Sequence, residues 1–204
     1  MAEHATGRRG SYAKGVAKRE EILTRALDVI AREGYGGASV KELADAVGLS
    51  QAGLLHYFES KEELFTEILR KRDERDLAHF GSTTLAAADL AALRTGYVET
   101  VRHNAHVPGL VQLFARLSVD AGDAGHPAHG FFLERSDTLR TSFARAIAER
   151  QAAGEVTDRV DADTLARIFQ AVADGLQLQW LLEPDVDMAA AVDALFDLLK
   201  TEKR

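Results

Sequence analysis

The chain has 204 residues, of which 46 % are apolar and 28 % charged, with three prolines and no cysteine. That composition belongs to a helix-rich globular protein; it excludes a disulfide framework, fits a reducing cytosol, and contains neither a run of ~18 apolar residues to span a membrane nor a secretory signal at its start. The net charge of −7 speaks against a polyanionic partner until its distribution is read: residues 1–19 carry five basic side chains against Glu3 alone, whereas residues 62–204 carry 16 basic and 24 acidic ones, and the local field decides what approaches.

Residues 1–13 read as a flexible basic arm bearing Arg8 and Arg9. Ile22, Leu23, Ala26, Leu27, Val29 and Ile30 then recur at the helical period as one apolar stripe, and the run EGYGG closes that helix. Ser39 opens a short second helix, with Glu42 three residues on to complete a capping box. The pattern stops at Gly48 and restarts at Ser50, a further N-cap that Gly53 cannot complete into a box. Ser60 with Glu63 repeats the capping grammar, and a fourth helix runs to about Phe80 through Leu64, Phe65, Ile68 and Leu69.

A junction follows at GSTTLAAADL, residues 81–90. Later helices are expected at about 84–104, 108–120, 128–153, 162–182 and 187–201, parted by Pro108-Gly109, DAGDAGHP, Gly154 with EVTD, and EPDVD. Period-2 alternation is absent, so the expected fold class is all-α. The chain divides into the arm at 1–13, a unit at 14–60 and a larger helical unit at 61–204.

The punctuated stretch SVKELADAVGLSQAGLLHYFESKEEL, residues 39–64, carries the functional signal. Leu43, Ala44 and Val47 share the inner face of one short helix, and Leu49, Leu54, Tyr57 and Phe58 continue the apolar set. Two short helices joined at Gly48, which tolerates positive φ, can bury all of these against the first helix. That is a helix-turn-helix. The second piece is explained by what it leaves outside: Ser50, Gln51, Ala52, Gly53 and His56. A helix that enters the DNA major groove N-terminus first needs small or polar side chains there. Gln51 pairs with adenine edges and the Ala52 methyl with thymine. Ser50 suits a phosphate, which a helix N-terminus also attracts. His56 and Tyr57 offer donors to the backbone strands, Lys61 a phosphate contact, and Ser39 and Lys41 join the same face. Arg8 and Arg9 are placed to reach an adjacent minor groove. The same spacing also occurs in helical proteins that never meet DNA, where Lys61 is a solvated lysine and Tyr57 mostly core.

Residues 19–69, REEILTRALDVIAREGYGGASVKELADAVGLSQAGLLHYFESKEELFTEIL, resemble the N-terminal domain of TetR-family transcriptional regulators. The segment DADTLARIFQAVADGLQLQWLLEPDVDMAAAVDALFDLL looks like the C-terminal helices of members related to the choline-responsive regulator BetI. The resemblance implies an all-helical homodimer of about nine helices per subunit: a three-helix DNA-binding domain, then a helical ligand-binding and dimerisation domain. It implies a repressor released by a small-molecule effector, and assigns the DNA face to Ser50, Gln51, Gly53, His56, Tyr57 and Lys61. The chain departs from the family at Leu55, where many members have a phosphate-contacting Tyr; His56 or Tyr57 takes over that contact.

A dimer predicts a palindromic double-stranded operator with half-sites about one turn, ~34–36 Å, apart or a multiple of it. LARIFQAVADGLQLQWLL is apolar around most of its circumference, as expected of a helix buried on several sides. Leu178, Trp180, Leu181, Leu195, Phe196 and Leu199 are the interface candidates, with intrachain core as the alternative. Phe114, Leu117, Phe132, Phe143, Phe169 and Gln177 are candidates to line an effector pocket, and read equally well as core.

An enzyme is the first rival: yet no glycine-rich phosphate loop or nucleophile elbow is present. His103 with His106, and His126 with His129 near Asp120 and Asp123, are neighbours able to bind a metal, but no motif completes a ligand set. No catalytic residue, metal or cofactor is expected. The second rival is a helical dimer that binds only protein. It predicts binding to DNA fragments with little salt dependence, whereas a DNA-binding protein loses affinity steeply as salt rises.

Overall fold

The computed structural model describes residues 5–34, 39–81 and 90–200, with side chains from residue 13 onward apart from those of residues 80 and 81. Among the described residues there are nine α-helices, and the one extended contact is an isolated antiparallel bridge between Val156 and Lys200. The predicted junction at 81–90 and the first residues of the helix expected from 84 lie mostly outside the described residues.

Helix α1, Ala5–Glu33, is longer than its apolar stripe. The flexible arm expected at 1–13 is corrected: from Ala5 its backbone continues the helix. No proline interrupts the register, and a helix nucleated on a buried stripe propagates at one hydrogen bond per added residue. The side chains of Arg8 and Arg9 lie outside the described residues. All six stripe residues from Ile22 to Ile30 are buried. Gly34, at φ +79°, ends the helix by donating its N–H to the Ile30 carbonyl at 3.0 Å.

Helix α2, Val40–Ala46, carries the expected capping box: Ser39 Oγ accepts from Glu42 N at 3.3 Å, and the Glu42 carboxylate accepts from Ser39 N at 2.7 Å. Gly48 turns the chain at φ +69°. Helix α3, Gln51–Leu55, follows, then α4, Lys61–Asp76, which passes into one π-helical turn at Leu77–Gly81. Ser60 caps α4, its Oγ accepting from Glu63 N at 2.9 Å. The box is not closed as expected: the Glu63 carboxylate reaches one residue further back, to Glu59 N, and also meets Arg19.

Five helices complete the chain: α5 Leu90–Asn104, α6 Pro108–Asp120, α7 His129–Ala152, α8 Ala162–Leu182 and α9 Met188–Asp197. Pro108 at the first turn of α6, where its missing N–H costs nothing, and Asp161, whose carboxylate accepts from Thr164 N at 2.9 Å, place two of these starts. Arg94 fastens α5 to α9 through Asp193 at 2.6 Å and Asp197 at 2.8 Å. The paired histidines serve the connection before α7: His126 Nδ1 accepts from Ala128 N at 3.1 Å, and the His129 ring donates to the Ala121 carbonyl at 2.7 Å.

Two apolar cores result. The first joins α1, α2, α3 and α4 with Leu110, Leu113, Phe114 and Leu117 of α6 and the start of α7. The second joins α5, α7, α8 and α9 with Val111 of α6. Helix α6 therefore presents one face to each core, and packing is continuous across Ser60 and Lys61.

Candidate nucleic-acid interface

A five-residue helix has no stability of its own, since isolated helices below ~12–15 residues are marginal in water. Two things hold α3. Ser50 Oγ accepts from Gly53 N at 3.0 Å, a cap worth ~0.5–2 kcal/mol. Leu54 and Phe58 are buried in the first core, each burial contributing ~1.5–3 kcal/mol. Burial therefore outweighs the cap, and it fixes which side points in. The opposite side is left to solvent: Gln51, Ala52 and His56 are exposed, and Gly53 and Tyr57 half-buried.

The chemistry of that side follows from its bonds. Because the Ser50 oxygen already accepts, its O–H proton remains to donate outward. A Cβ at Gly53 would stand 3.2 Å from Ser50 Oγ, so glycine both flattens the surface and lets the cap close. Tyr57 packs on the core and meets the His56 ring edge-on at 5.9 Å between centroids. Ser39 is exposed, with its backbone N–H held by Glu42. The hydrogen bonds from Ser39 keep the Glu42 carboxyl below its ordinary range.

Some cations of the head are neutralised within it. Arg19 is spent on Glu63 at 3.2 Å and Glu67 at 3.0 Å, Lys71 on Glu20 at 2.7 Å, and Arg75 on Asp28 at 3.1 Å. Lys41 and Lys61 are exposed and form no ion pair with a described carboxylate; the Lys61 ammonium only overlies Phe65, at 5.5 Å. Ser39, Lys41, Ser50, Gln51, Ala52, Gly53, His56, Tyr57 and Lys61 thus fall on α2 and α3, at their caps, in the turn that follows α3, or at the first residue of α4. A capped helix N-terminus with exposed polar side chains suits a polyanion with readable edges.

Residues 22–68 match the family model described as bacterial regulatory proteins, tetR family, and residues 130–202 that described as BetI-type transcriptional repressor, C-terminal. Together they span more than half of the chain. The chain belongs to the TetR family. It is a DNA-binding transcriptional regulator, in a family of regulators rather than enzymes. It is 28 % identical over 191 residues to the HTH-type transcriptional repressor Rv1474c of Mycobacterium tuberculosis, covering 92 % of this chain and 94 % of that one. Solved structures with the same fold include a TetR transcription regulator from Haloarcula marismortui, with TM-score 0.72 and 19 % identity over 91 % of this chain and 100 % of that one. Another is a transcriptional regulator from Saccharomonospora viridis in complex with choline, with TM-score 0.67 and 24 % identity over 90 % and 98 %.

In this TetR-family chain a cavity of about 380 Å³ lies between α4, α5, α6, α7 and α8. Of the six pocket residues expected from sequence, Phe114 and Gln177 line it. Phe132, with Phe114, lines a neighbouring cavity of about 330 Å³. The other three are corrected to core. Leu117 belongs to the first core. Phe143 and Phe169 stack with Phe196 in the second, at 4.5–6.3 Å between centroids, because α7, α8 and α9 turn these rings toward one another.

The walls that sequence missed are polar. Arg72 is 5 % exposed, donates from Nη2 to Asn104 Oδ1, and lies 3.5 Å from Asp76. Burial pushes the Arg72 guanidinium below and the Asp76 carboxyl above their ordinary values. The run KRDERD looks like a solvated helix end, yet one signal was present: Arg72 and Asp76 continue the spacing of Phe65, Ile68 and Leu69.

The interface candidates also divide. Trp180, Phe196 and Leu199 are buried in the second core, which corrects their assignment to a partner surface; their own protomer already covers them. Leu181 and Leu195 are half-buried against the same core. Leu178 is 53 % exposed, and it is joined by Ile168 at 41 % and Leu182 at 84 % on α8, and by Leu198 at 76 % just after α9. With Ala171 and Gly175, these α8 residues recur every three or four positions. Among the described residues, no helix is long and apolar enough to cross a membrane.

Proposed function

We propose that the protein is a repressor that binds a palindromic operator as a homodimer in the cytoplasm and is released by a small-molecule effector. The observation that carries the reading is the outward side of α3, where Gln51, Ala52 and His56 are exposed while Leu54 and Phe58 anchor the helix from behind. One such helix buries little surface against DNA, and a linked second copy raises avidity without new contacts. The apolar stripe Ile168, Ala171, Gly175, Leu178 and Leu182 supports the partner being a second copy, because a helical seam of this spacing packs against its own symmetry mate. A choline-bound neighbour with the same fold supports a small-molecule effector.

Release is supported by a mechanical path. Helix α4 begins at the DNA face with Lys61 and reaches the cavity wall with Arg72. Helix α6 touches both cores. A ligand that fits the cavity better when α4 is tilted disfavours the operator-bound spacing of the two heads. A coupling of ~1–3 kcal/mol gives a change of about 5- to 150-fold in operator affinity.

The experiment is selection of genomic fragments with the purified protein, followed by binding at rising salt. A palindromic site whose affinity falls linearly on a log–log scale with salt is expected. Binding that ignores salt, or a lone protomer in sedimentation with DNA bound, sinks the reading.

A further inference from the structure

We propose that the cavity beside Arg72 takes an uncharged small molecule. It would have an apolar or aromatic body, one hydrogen-bond acceptor directed at Arg72 and one donor directed at Gln177. The inference rests on the effector reading above and names the chemistry of that site.

The charge pattern of the walls comes first. Seven charged side chains line the cavity, and each already holds an opposite charge. Arg70 meets Glu134 at 3.7 Å, Arg72 meets Asp76 at 3.5 Å, Arg135 meets Asp73 at 2.9 Å, and Glu74 meets Lys71 at 3.0 Å. An anion would compete with Asp76 or Asp73 for an arginine, and a cation would draw a carboxylate from its arginine. At Arg72–Asp76 and Arg135–Asp73, whose side chains are 6–31 % exposed, either leaves a poorly hydrated charge without its partner, which is strongly unfavourable; Glu134 and Glu74 are solvent-exposed and hydrated by water. Two of the three aromatic rings that could attract an ammonium group are occupied as well. Arg135 and Arg72 lie 4.8 Å and 5.9 Å from the Phe114 centroid, and Arg70 lies 5.2 Å from that of Phe131.

What the cavity leaves unmet is a neutral pattern. Arg72 Nε–H is buried without a well-formed hydrogen bond, its contact with the Asp76 carboxylate stretched to 3.5 Å. Gln177 is 8 % exposed and its Oε1 is buried without a partner, while its Nε2 turns toward the Ala173 carbonyl at 3.5 Å. Unpaired buried groups of this kind are rare in proteins, and here both side chains face one cavity. Leu77, Tyr97, Phe131 and Leu139 supply the apolar wall. The volume, about 380 Å³, suits a compact ligand at the low end of the ~300–1,000 Å³ range of small-molecule sites. A carbonyl oxygen answers Arg72, an N–H or O–H answers Gln177, and an amide or lactam on an apolar body carries all three features.

The test is calorimetric titration of the full chain, without DNA, with four probes of one size. These are phenylpropanamide, methyl phenylpropanoate (acceptor without donor), phenylpropanoate and phenylpropyl trimethylammonium. The amide is expected to bind at about 1 mM, typical of a fragment this small, the ester about tenfold more weakly, and both ions more weakly still. Gln177→Leu should bring the amide down to the ester and leave the ester unchanged, which also checks that the variant folds. Arg72→Lys keeps a charge beside Asp76 but removes Nε–H, and should weaken amide and ester alike. Tighter binding of either ion, amide affinity unmoved by both variants, or no amide binding would overturn the proposal. Because the titration contains no DNA, failure of the amide leaves operator recognition standing, and failure of operator binding leaves the cavity chemistry standing.

Discussion

Gly109 and Ile30 meet backbone to backbone: a methyl group on Gly109 would stand 2.2 Å from the Ile30 carbonyl oxygen and 2.6 Å from the Gly34 α-carbon. The start of α6 is thereby seated on the end of α1, and no side-chain rotation can relieve a clash there. Gly109→Ala should lower stability by ~1–3 kcal/mol through overpacking. In urea unfolding the midpoint should fall with an unchanged slope. An alanine variant as stable as the parent would mean that the two helix ends are not in contact.

The DNA face predicts two distinguishable losses. Gln51→Ala should forfeit ~1–3 kcal/mol of base discrimination at one operator position. Lys61→Ala should weaken all duplexes alike and reduce the salt slope by about one. Binding of operator and scrambled duplexes across a salt series reads both. Sequence choice altered by Lys61→Ala, with general affinity intact, would reverse the assigned roles.

On α8 the two sides should respond differently. Leu182→Glu places a charge on the exposed stripe and should dissociate the dimer in sedimentation velocity while leaving the melting temperature of the protomer nearly unchanged. Trp180→Ala removes a side chain that is 9 % exposed and should cost ~3–5 kcal/mol of folding stability. A Leu182→Glu protein that remains dimeric would place the interface elsewhere.

Acid should loosen the clamp between α5 and α9. Hydrogen bonds from Arg94, and then from Lys200, hold the Asp197 carboxyl down at about 2 from an ordinary 3.8. A carboxyl depressed in the folded state contributes fully above its unfolded value and loses that contribution as pH falls through the folded one. The contribution should therefore be complete above about pH 4 and fade toward pH 2. Carbon-detected NMR titration of Asp197 should give the depressed value, and Arg94→Met should raise it toward the ordinary range, leaving the part held by Lys200. An unmoved value in Arg94→Met would remove Arg94 as the cause.

Sequence reading succeeded where local chemistry decides the structure. Ser39, Ser50 and Ser60 cap helices because short-range hydrogen bonds need only the right residue at the right offset. The outward face of α3 followed from the same grammar. The cavity was not legible, because burial of Arg72 and Asp76 depends on helices distant in sequence. Phe143 and Phe169 were assigned to the pocket by size alone, and only packing tells a wall from a core. Leu178 and Trp180 sit two residues apart on one helix, so they point to nearly opposite sides. An apolar run that circles the helix does not say which of the two faces inward.

Helix α4 holds Lys61 at one end and Arg72 eleven residues later, about 16 Å along a stiff rod. Promoter grip and chemical sensing are thus mounted on a single shaft. In a biosensor engineered from this protein, we expect that reshaping the chamber around Arg72 for a new inducer also shifts basal leakiness, and that variants retaining tight shut-off arise from the opposite wall, around Thr138 and Gln177.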